Sequence, residues 1–208
     1  MKPSLKGHAP GITLERMIAC TDVHYTNTYA IAACILFHGW SDADPDLAIT
    51  EPVDDPAPYE PGQFYRRELP VLLSVISKLT VRPEVIIIDG YVWLGDWDHP
   101  GLGAHLHKAL GGSGAVIGVA KKLFRRGPAV QCVRRGTSAR PLYVSATGMD
   151  LNEAASRIVE LHGEFRVPTL LKRADRLCRG YQDALESEFV KRSAKAMRRK
   201  ANHHLSIR

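Results

Sequence analysis

The sequence predicts an α/β fold in which helices flank a mixed sheet, and two features of its apolar pattern favour this fold class. Three strand-like runs follow one another near the start of the chain, at residues 16–25, 29–37 and 47–53. From residue 63 onward, stretches with helical spacing alternate with short, continuously apolar runs that are typical of buried strands. Consecutive strands pair antiparallel, whereas strands joined through a helix run parallel, so we expect one sheet of mixed direction.

Turn signals bound the first three strands. Only Thr26-Asn27-Thr28 separates the first two runs, which predicts a hairpin. The turn cluster at 39–45 and the proline-rich loop at 54–62 lie on either side of the third strand. We therefore expect three consecutive antiparallel strands before the first helix.

The next segment, residues 63–80, has a helical pattern with one acidic residue beside its apolar face. Its apolar residues recur every three or four positions: Leu69, Leu72, Leu73, Ile76 and Leu79. Glu68 lies at the edge of this apolar stripe. We expect its side chain to point toward the sheet rather than fully into water.

The remaining elements continue the alternation of strands and helices. The predicted strands are 85–88, 115–120 and 142–146, and the predicted helices are 101–111 and 151–162. Ribonuclease-H-like nucleases share this order, which is three strands followed by a helix, a strand, a helix and a strand. In that architecture the first and fourth strands are neighbours, which would bring Asp22 beside Asp89.

Composition bounds the class of protein. The chain has 208 residues, of which 45% are hydrophobic, enough for one domain with a sizeable core. No apolar run approaches the roughly 20 residues that a membrane span needs, and residues 1–6 lack the apolar core of a signal peptide. The four cysteines are scattered without a CxxC pair, which argues against a thiolate zinc site and a disulfide framework. We expect a cytoplasmic, monomeric protein with no membrane partner.

The positive charge is concentrated at one end of the chain. The net charge is +6, and residues 181–208 hold seven Lys or Arg against three acids, so this segment contributes +4. We interpret residues 1–180 as the folded domain and residues 181–208 as a basic C-terminal helix or tail. A basic segment on a nearly neutral body indicates a nucleic-acid partner, DNA or RNA, although a solvated terminal helix would look the same.

Two aspartates lie where apolar runs are expected to be buried. Asp22 lies within the first strand, and Asp89 closes the run Val85-Ile86-Ile87-Ile88. A buried carboxylate is costly unless it is paired, and two that converge repel each other unless a cation lies between them. With Glu68 as a third acid, the oxygen ligands suit Mg²⁺, for which Mn²⁺ can substitute.

This set of residues implies phosphodiester hydrolysis. A bound metal would polarise the phosphate and lower the pKa of an attacking water. Lys121 follows a buried strand directly and would neutralise charge that develops on the phosphate.

Five short segments add a family resemblance between about Cys20 and Asp175. They are Thr21-Asp22-Val23, Pro58-Tyr59-Glu60-Pro61-Gly62, Arg67-Glu68, Ile88-Asp89-Gly90 and Ile117-Gly118-Val119-Ala120-Lys121-Lys122. In this order they resemble the motifs of the endonuclease V family, metal-dependent nucleases with a ribonuclease-H-like fold that cleave DNA or RNA near inosine, the deaminated form of adenosine.

The resemblance implies a role for each matched segment. Asp22, Glu68 and Asp89 would hold the metal, and Lys121 would lie in the active site with them. The segment that contains Tyr59 and Pro61 resembles a loop that inserts into the nucleic acid beside the altered base, although an aromatic between prolines also suits loop packing. A backbone pocket near Gly90 and Gly118 would accept the altered base.

The chain departs from the family pattern at two places. Asp89-Gly90 is followed by Tyr91, where the family has histidine, and the later His-Pro-Arg is replaced by His99-Pro100-Gly101. We expect His99 to supply the histidine for substrate binding. The family's Thr-Gly-His becomes Thr147-Gly148-Met149, so that Met149 replaces a histidine that approaches the metal, and Asp150 is a possible substitute.

The sequence therefore predicts a Mg²⁺-dependent endonuclease that cleaves nucleic acid near inosine, in DNA repair or RNA processing. Two alternatives stay open. The chain would also suit a non-catalytic nucleic-acid-binding protein of the same fold, which the departures favour. The same acids would also serve a nuclease for branched or mismatched DNA.

Overall fold

The computed structural model describes residues 16–180, in which seven strands form one sheet. The strands are β1 (Ile18–Tyr25), β2 (Tyr29–Phe37), β3 (Leu47–Asp54), β4 (Val85–Asp89), β5 (Ala115–Ala120), β6 (Gln131–Val133) and β7 (Leu142–Thr147). They lie side by side in the order β3-β2-β1-β4-β5-β7-β6.

Strand directions within the sheet follow the connections along the chain. The first three strands pair antiparallel through short turns, with Asp22 opposite Ala33. Strands β1, β4 and β5 run parallel, so that Thr21 pairs with Ile88 and Asp89 with Val119. Strands β5 and β7 pair antiparallel. The mixed sheet confirms the predicted α/β fold, and the neighbouring β1 and β4 bring Asp22 and Asp89 to the same end of the sheet.

Helices cover both faces of the sheet. The helices are α1 (Phe64–Ile76), α2 (Leu102–Ala109), α3 (Leu151–Glu160) and a fourth helical segment at 169–180, which we call α4. The helices α1 and α2 pack on one face with Ala19 and Ile88, whereas α3 and α4 pack on the other face with Cys20 and Ile87. Because side chains alternate along each strand, every central strand contributes to both cores.

The structure adds two elements that the apolar pattern did not predict. Strand β6 has only three residues, and α4 buries Leu170, Ala174 and Cys178 at four-residue spacing. The predicted basic segment 181–208 lies outside the described residues, so the domain boundary at residue 180 stays a prediction. Among residues 16–180, no helix is long and apolar enough to cross a membrane.

Candidate active site

A cavity of about 480 Å³, which we call the acidic cavity, opens at the end of the sheet where β4 and β5 finish. Asp22 reaches it from β1, Asp89 from the last position of β4, and Lys121 from the residue after β5. Parallel neighbouring strands end at the same sheet edge, so the register alone accounts for the grouping of these three side chains.

Asp22 is a partly buried carboxyl whose charge is disfavoured. Its Oδ1 accepts a hydrogen bond of 2.8 Å from the backbone N–H of Val23. Burial and the neighbouring charge of Asp89 raise the pKa of Asp22 to about 7, although the Val23 bond and Lys121 act in the opposite direction. At neutral pH, a cation in the cavity would therefore favour the ionised form of this carboxyl.

Glu68 is the most buried of the three predicted acids, at 5% exposure. Helix α1 directs its side chain toward the sheet, as the sequence predicted. Within residues 16–180 its Oε2 has no hydrogen-bond partner. Burial, followed by the charges of Asp22 and Asp89, raises the pKa of Glu68 to about 8. The three acids therefore act on one another electrostatically, and a buried oxygen is left without a partner, which is costly.

Lys121 and Asp89 form an ion pair at the mouth of this cavity. Lys121 Nζ lies 2.5 Å from Asp89 Oδ2. Burial lowers the pKa of Lys121, but the bond to Asp89 and the charges of Asp22 and Asp175 outweigh it and raise the pKa. The ammonium group is thus held charged at the position that the sequence assigned to phosphate stabilisation.

Asp175 is an acid of the cavity that the sequence reasoning did not identify. The acids that line this cavity are Asp22, Asp89, Glu164 and Asp175, whereas Glu68 is buried and does not line it. Asp175 lies on α4, and its charge contributes to the raised pKa of Asp22. Its Oδ1 accepts a hydrogen bond of 2.9 Å from Arg179 Nε, one turn further along the helix. The four-residue spacing of Leu170, Ala174 and Cys178 was the available signal that this helix packs on the sheet.

The expectation for Met149 and Asp150 is corrected by the structure, because both residues lie at the opposite end of the sheet. Strand β7 runs antiparallel to β5 and ends with Thr147 opposite Val116, near the start of β5. Met149 packs against the core there. Asp150 is the N-cap of α3, and its Oδ1 accepts hydrogen bonds of 2.8 and 3.1 Å from the N–H groups of Asn152 and Glu153.

The acids do not form a closed metal cage in this arrangement. Among the described residues 16–180, no group of three or more His, Cys, Asp or Glu side chains is close enough to hold an ion. The Asp89 carboxylate is instead paired with Lys121. The donor chemistry nevertheless fits a hard divalent cation, because the available ligands are carboxylate oxygens and the Glu68 Oε2 lacks a partner.

A second cavity of about 430 Å³, which we call the aromatic cavity, lies beside the first. It is lined by Tyr59, Gly62, Phe64, Tyr65, Gly90, Tyr91, Leu94, Pro100, Gly101, Leu102, Lys122, Leu123 and Phe124. Tyr59 is 59% exposed at its edge. The Tyr91 hydroxyl donates to the Lys122 carbonyl over 2.8 Å and accepts from the Phe124 N–H over 3.2 Å, which fixes the far wall.

The structure separates the other predicted substrate-binding residues. Gly90 lines the aromatic cavity with a φ of 135°, a conformation that favours glycine. Gly118 does not line it, because it is buried beneath the turn after β4, where a Cβ would lie 2.7 Å from the Gly90 carbonyl oxygen. Pro61 is exposed in the Tyr59 loop. His99 is exposed and lines neither cavity, since its loop closes on itself through the Leu94 N–H and the His99 carbonyl.

The strand order, with acids from the neighbouring strands β1 and β4 at one end, defines a ribonuclease-H-like protein. Comparisons with known proteins make the assignment specific. The family model described as Endonuclease V matches residues 7–131, and the chain belongs to this family. The resemblance predicted from the five sequence segments is therefore confirmed.

Individual relatives agree with the family match. Endonuclease V from Streptomyces avermitilis is 32% identical over 145 residues, which are 59% of this chain and 61% of that protein. Its crystal structure aligns with a TM-score of 0.66 at 25% identity, covering 82% of each chain. The crystal structure of Ciona intestinalis Endonuclease V in complex with inosine-containing DNA aligns with a TM-score of 0.66 at 20% identity, covering 82% of this chain and 87% of that one, and it supports the fold.

Proposed function

We propose that this protein is a metal-dependent endonuclease that hydrolyses phosphodiester bonds in nucleic acid near deaminated adenine. The observation that carries the proposal is that the charges of Asp22 and Asp89 act on the buried Glu68 carboxyl. In the described part of the chain, the Glu68 Oε2 also has no hydrogen-bond partner. Such an arrangement is unfavourable for the fold unless a ligand relieves it.

The acidic side chains are the candidates to hold Mg²⁺, with Mn²⁺ as a substitute. Asp22, Glu68 and Asp89 would bind the ion, and Asp175, which lines the acidic cavity with Asp22 and Asp89, is a further oxygen donor. When bound, the ion would polarise the phosphate and acidify an attacking water. Lys121 would release Asp89 and neutralise charge on a phosphate oxygen, because its ammonium group already lies at the cavity mouth.

The aromatic cavity is the candidate site for the altered base. It adjoins the acidic cavity, since Asp89 and Lys121 line one while Gly90 and Lys122 line the other. Its apolar and aromatic walls suit a flat heterocycle, and the exposed Tyr59 can stack on a neighbouring base. The Ciona intestinalis relative was crystallised with DNA that contains inosine, which supports inosine as the altered base.

One of the two departures from the family pattern that favoured a non-catalytic protein no longer favours it. Met149 lies at the far end of the sheet, so its replacement of a histidine does not weaken the acidic cavity. The glycine at position 101, in place of the family's arginine, remains as a departure at the edge of the aromatic cavity. The Asp89–Lys121 pair is the feature that still favours a binding protein, because it competes with a metal for the carboxylate.

Cleavage of matched oligonucleotides tests the proposal. DNA and RNA with one inosine, beside unmodified copies, are incubated with Mg²⁺, with Mn²⁺ and with chelator. We expect metal-dependent cleavage of the inosine substrates only, and its loss in Asp89→Asn. The matched control is Asp150→Asn, which removes a carboxylate at the far end and preserves the helix cap.

The outcomes separate the candidates. Inosine-dependent binding without cleavage in either metal, unaffected by Asp89→Asn, would establish the non-catalytic protein. Cleavage of branched or mismatched DNA in preference to inosine substrates would establish the third candidate.

A further inference from the structure

One wall of the acidic cavity carries an exposed aromatic side chain that the proposed chemistry does not use. Phe165 lines the cavity together with Asp22, Asp89 and Lys121, and it is 65% exposed. It lies in the loop between α3 and α4 and lines the acidic cavity only, whereas Tyr59 lines the aromatic cavity only. An exposed ring in the lining of a cavity is available to contact a bound ligand.

Two arginines, one of them buried, hold the Phe165 loop in a fixed shape. Arg135 is only 4% exposed, and its guanidinium donates to four backbone carbonyls, those of Val159, Leu161, Gly163 and Phe165. The next residue, Arg166, donates to the carbonyls of Lys121 and Pro141. The Phe165 backbone is therefore fixed on both sides, and Arg166 ties it to the residue that forms the ion pair with Asp89.

A close approach of two loops supports the same conclusion. Gly136 has a φ of 55°, and a Cβ at this position would lie 1.8 Å from the Glu164 carbonyl oxygen. Only glycine permits this approach. The loop thus presents Phe165 from a preorganised frame, which lowers the entropy cost of binding against the ring.

A cation lies next to the exposed ring. Lys172 Nζ is 5.7 Å from the centroid of the Phe165 ring, and Lys172 also lines the acidic cavity. A ring face beside an ammonium group matches the two parts of a nucleotide, because bases stack on aromatic rings and phosphates pair with lysine.

The position of the two cavities identifies which nucleotide this would be. They meet at consecutive residues, Asp89 with Gly90 and Lys121 with Lys122. A strand whose altered base lies in the aromatic cavity would therefore pass over Asp89 and Lys121 and continue toward Phe165. The next base along that path is the one beyond the phosphodiester bond that is cut.

We propose that Phe165 and Lys172 form a second nucleotide site, which binds the nucleotide on the far side of the scissile bond from the altered base. The base stacks on Phe165, and Lys172 neutralises the adjoining phosphate. This inference rests on the proposed function, because it assumes that a strand crosses the acidic cavity.

Binding to oligonucleotides with one abasic residue tests the inference. The abasic residue is moved through successive positions beyond the inosine, and binding is measured by fluorescence anisotropy without divalent metal. For the unaltered protein, we expect one position at which losing the base weakens binding about fivefold or more. Phe165→Ala should weaken binding of the intact oligonucleotide by the same factor, and the two losses should not add.

Three variants serve as comparisons. Phe165→Tyr retains the ring and should bind as tightly as the unaltered protein. Lys172→Gln should lower the slope of log affinity against log salt by about one, because one phosphate contact is lost. Val81→Ala shortens another exposed apolar side chain, which lines neither cavity, and should change nothing.

Different results would overturn the Phe165 site and the proposed function. Additive losses, or no position sensitive to base removal, would overturn the Phe165 site even if inosine is still preferred and cleaved. Equal affinity for inosine and adenosine oligonucleotides would count against the proposed function. The abasic scan is made on the inosine oligonucleotide, because the altered base sets the register of the strand, and the inosine–adenosine comparison is made separately.

Discussion

The two ends of the sheet hold acidic side chains in opposite settings. At the end near Asp89, Asp22 and Glu68 are withdrawn from water and repel each other, with pKa values raised to about 7 and about 8. At the far end, near the start of β5, Asp150 is exposed and caps α3, and Glu153 lies 3.8 Å from Arg157. Asp150 and Glu153 at the far end have partners that stabilise the fold, whereas the ionised forms of Asp22 and Glu68 oppose it. An acid close to a strand end therefore indicates a metal or active site only when it is buried without an ion-pair or hydrogen-bond partner.

The largest expected difference between the two ends is in catalysis. Glu68→Gln removes a carboxylate that would hold the metal, and we expect cleavage to fall by about a hundredfold or more. Above pH 8, where the Glu68 carboxyl would be ionised in the folded chain, the same substitution removes an unpaired buried charge, so the free energy of unfolding should not decrease there. Single-turnover cleavage and urea unfolding measure the two effects.

The matched control is Glu153→Gln at the far end, which alters a surface ion pair of small energetic value. It should cleave at the rate of the unaltered protein. A variant Glu68→Gln that cleaves normally would remove Glu68 from the metal site.

Asp175 provides the next comparison, because it belongs to the acidic cavity without being predicted by the sequence. We expect Asp175→Asn to raise the concentration of Mg²⁺ needed for half-maximal cleavage by about 10- to 100-fold, as loss of a supporting or direct oxygen ligand does. A metal titration of the cleavage rate measures it. An unchanged titration curve would show that Asp175 only lines the cavity.

The dependence of stability on pH distinguishes the two ends without any substrate. Asp22 and Glu68 bind protons up to about pH 7 and 8 in the folded chain, but only up to their ordinary values of 3.8 and 4.5 in the unfolded chain. Between these limits the folded state holds more protons, so the free energy of unfolding should fall as the pH rises. We expect a loss of about 1 kcal/mol or more between pH 5 and pH 8 in metal-free protein.

Adding Mg²⁺ and substituting Glu68 test whether the buried acids cause this loss of stability. Mg²⁺ should restore stability more at pH 8 than at pH 5, because the ionised acids bind it. Glu68→Gln should flatten the pH dependence, whereas Glu153→Gln should leave it unchanged. If the free energy of unfolding of the unaltered protein does not change between pH 5 and pH 8, the pKa values of Asp22 and Glu68 are not raised by folding.

Sequence reasoning identified the acids whose position follows from local pattern. Asp22 and Asp89 belong to apolar runs, and Glu68 borders an apolar helical stripe, so burial could be inferred from neighbours in the chain. The order of elements then placed β1 beside β4. These features depend on spacing along the chain, which the amino-acid sequence contains directly.

The residues that sequence reasoning misplaced depend on strand direction and on contacts between distant segments. Strand β7 runs antiparallel to β5, as expected for strands with no helix between them, and this direction takes Met149 and Asp150 to the far end. Gly118 is buried because the turn at Gly90 packs on it, a contact between separate segments. Asp175 required recognition of α4, whose apolar residues Leu170, Leu171, Ala174, Leu177 and Cys178 lie between charged ones in a segment of only twelve residues.

The smallest effect is expected at the far end, where Asp150 has a purely structural contact. Asp150→Ala removes the cap of α3, and we expect the free energy of unfolding to fall by about 1 kcal/mol. Asp150→Asn keeps an acceptor for the N–H groups of Asn152 and Glu153 and should cost much less. Both variants should retain the metal dependence of cleavage, which urea unfolding and a metal titration together would verify. A shift in the metal titration for Asp150→Ala would contradict the separation of the two ends. Asp150 and the acidic cavity lie at opposite ends of the sheet, so loss of the cap should not alter metal binding.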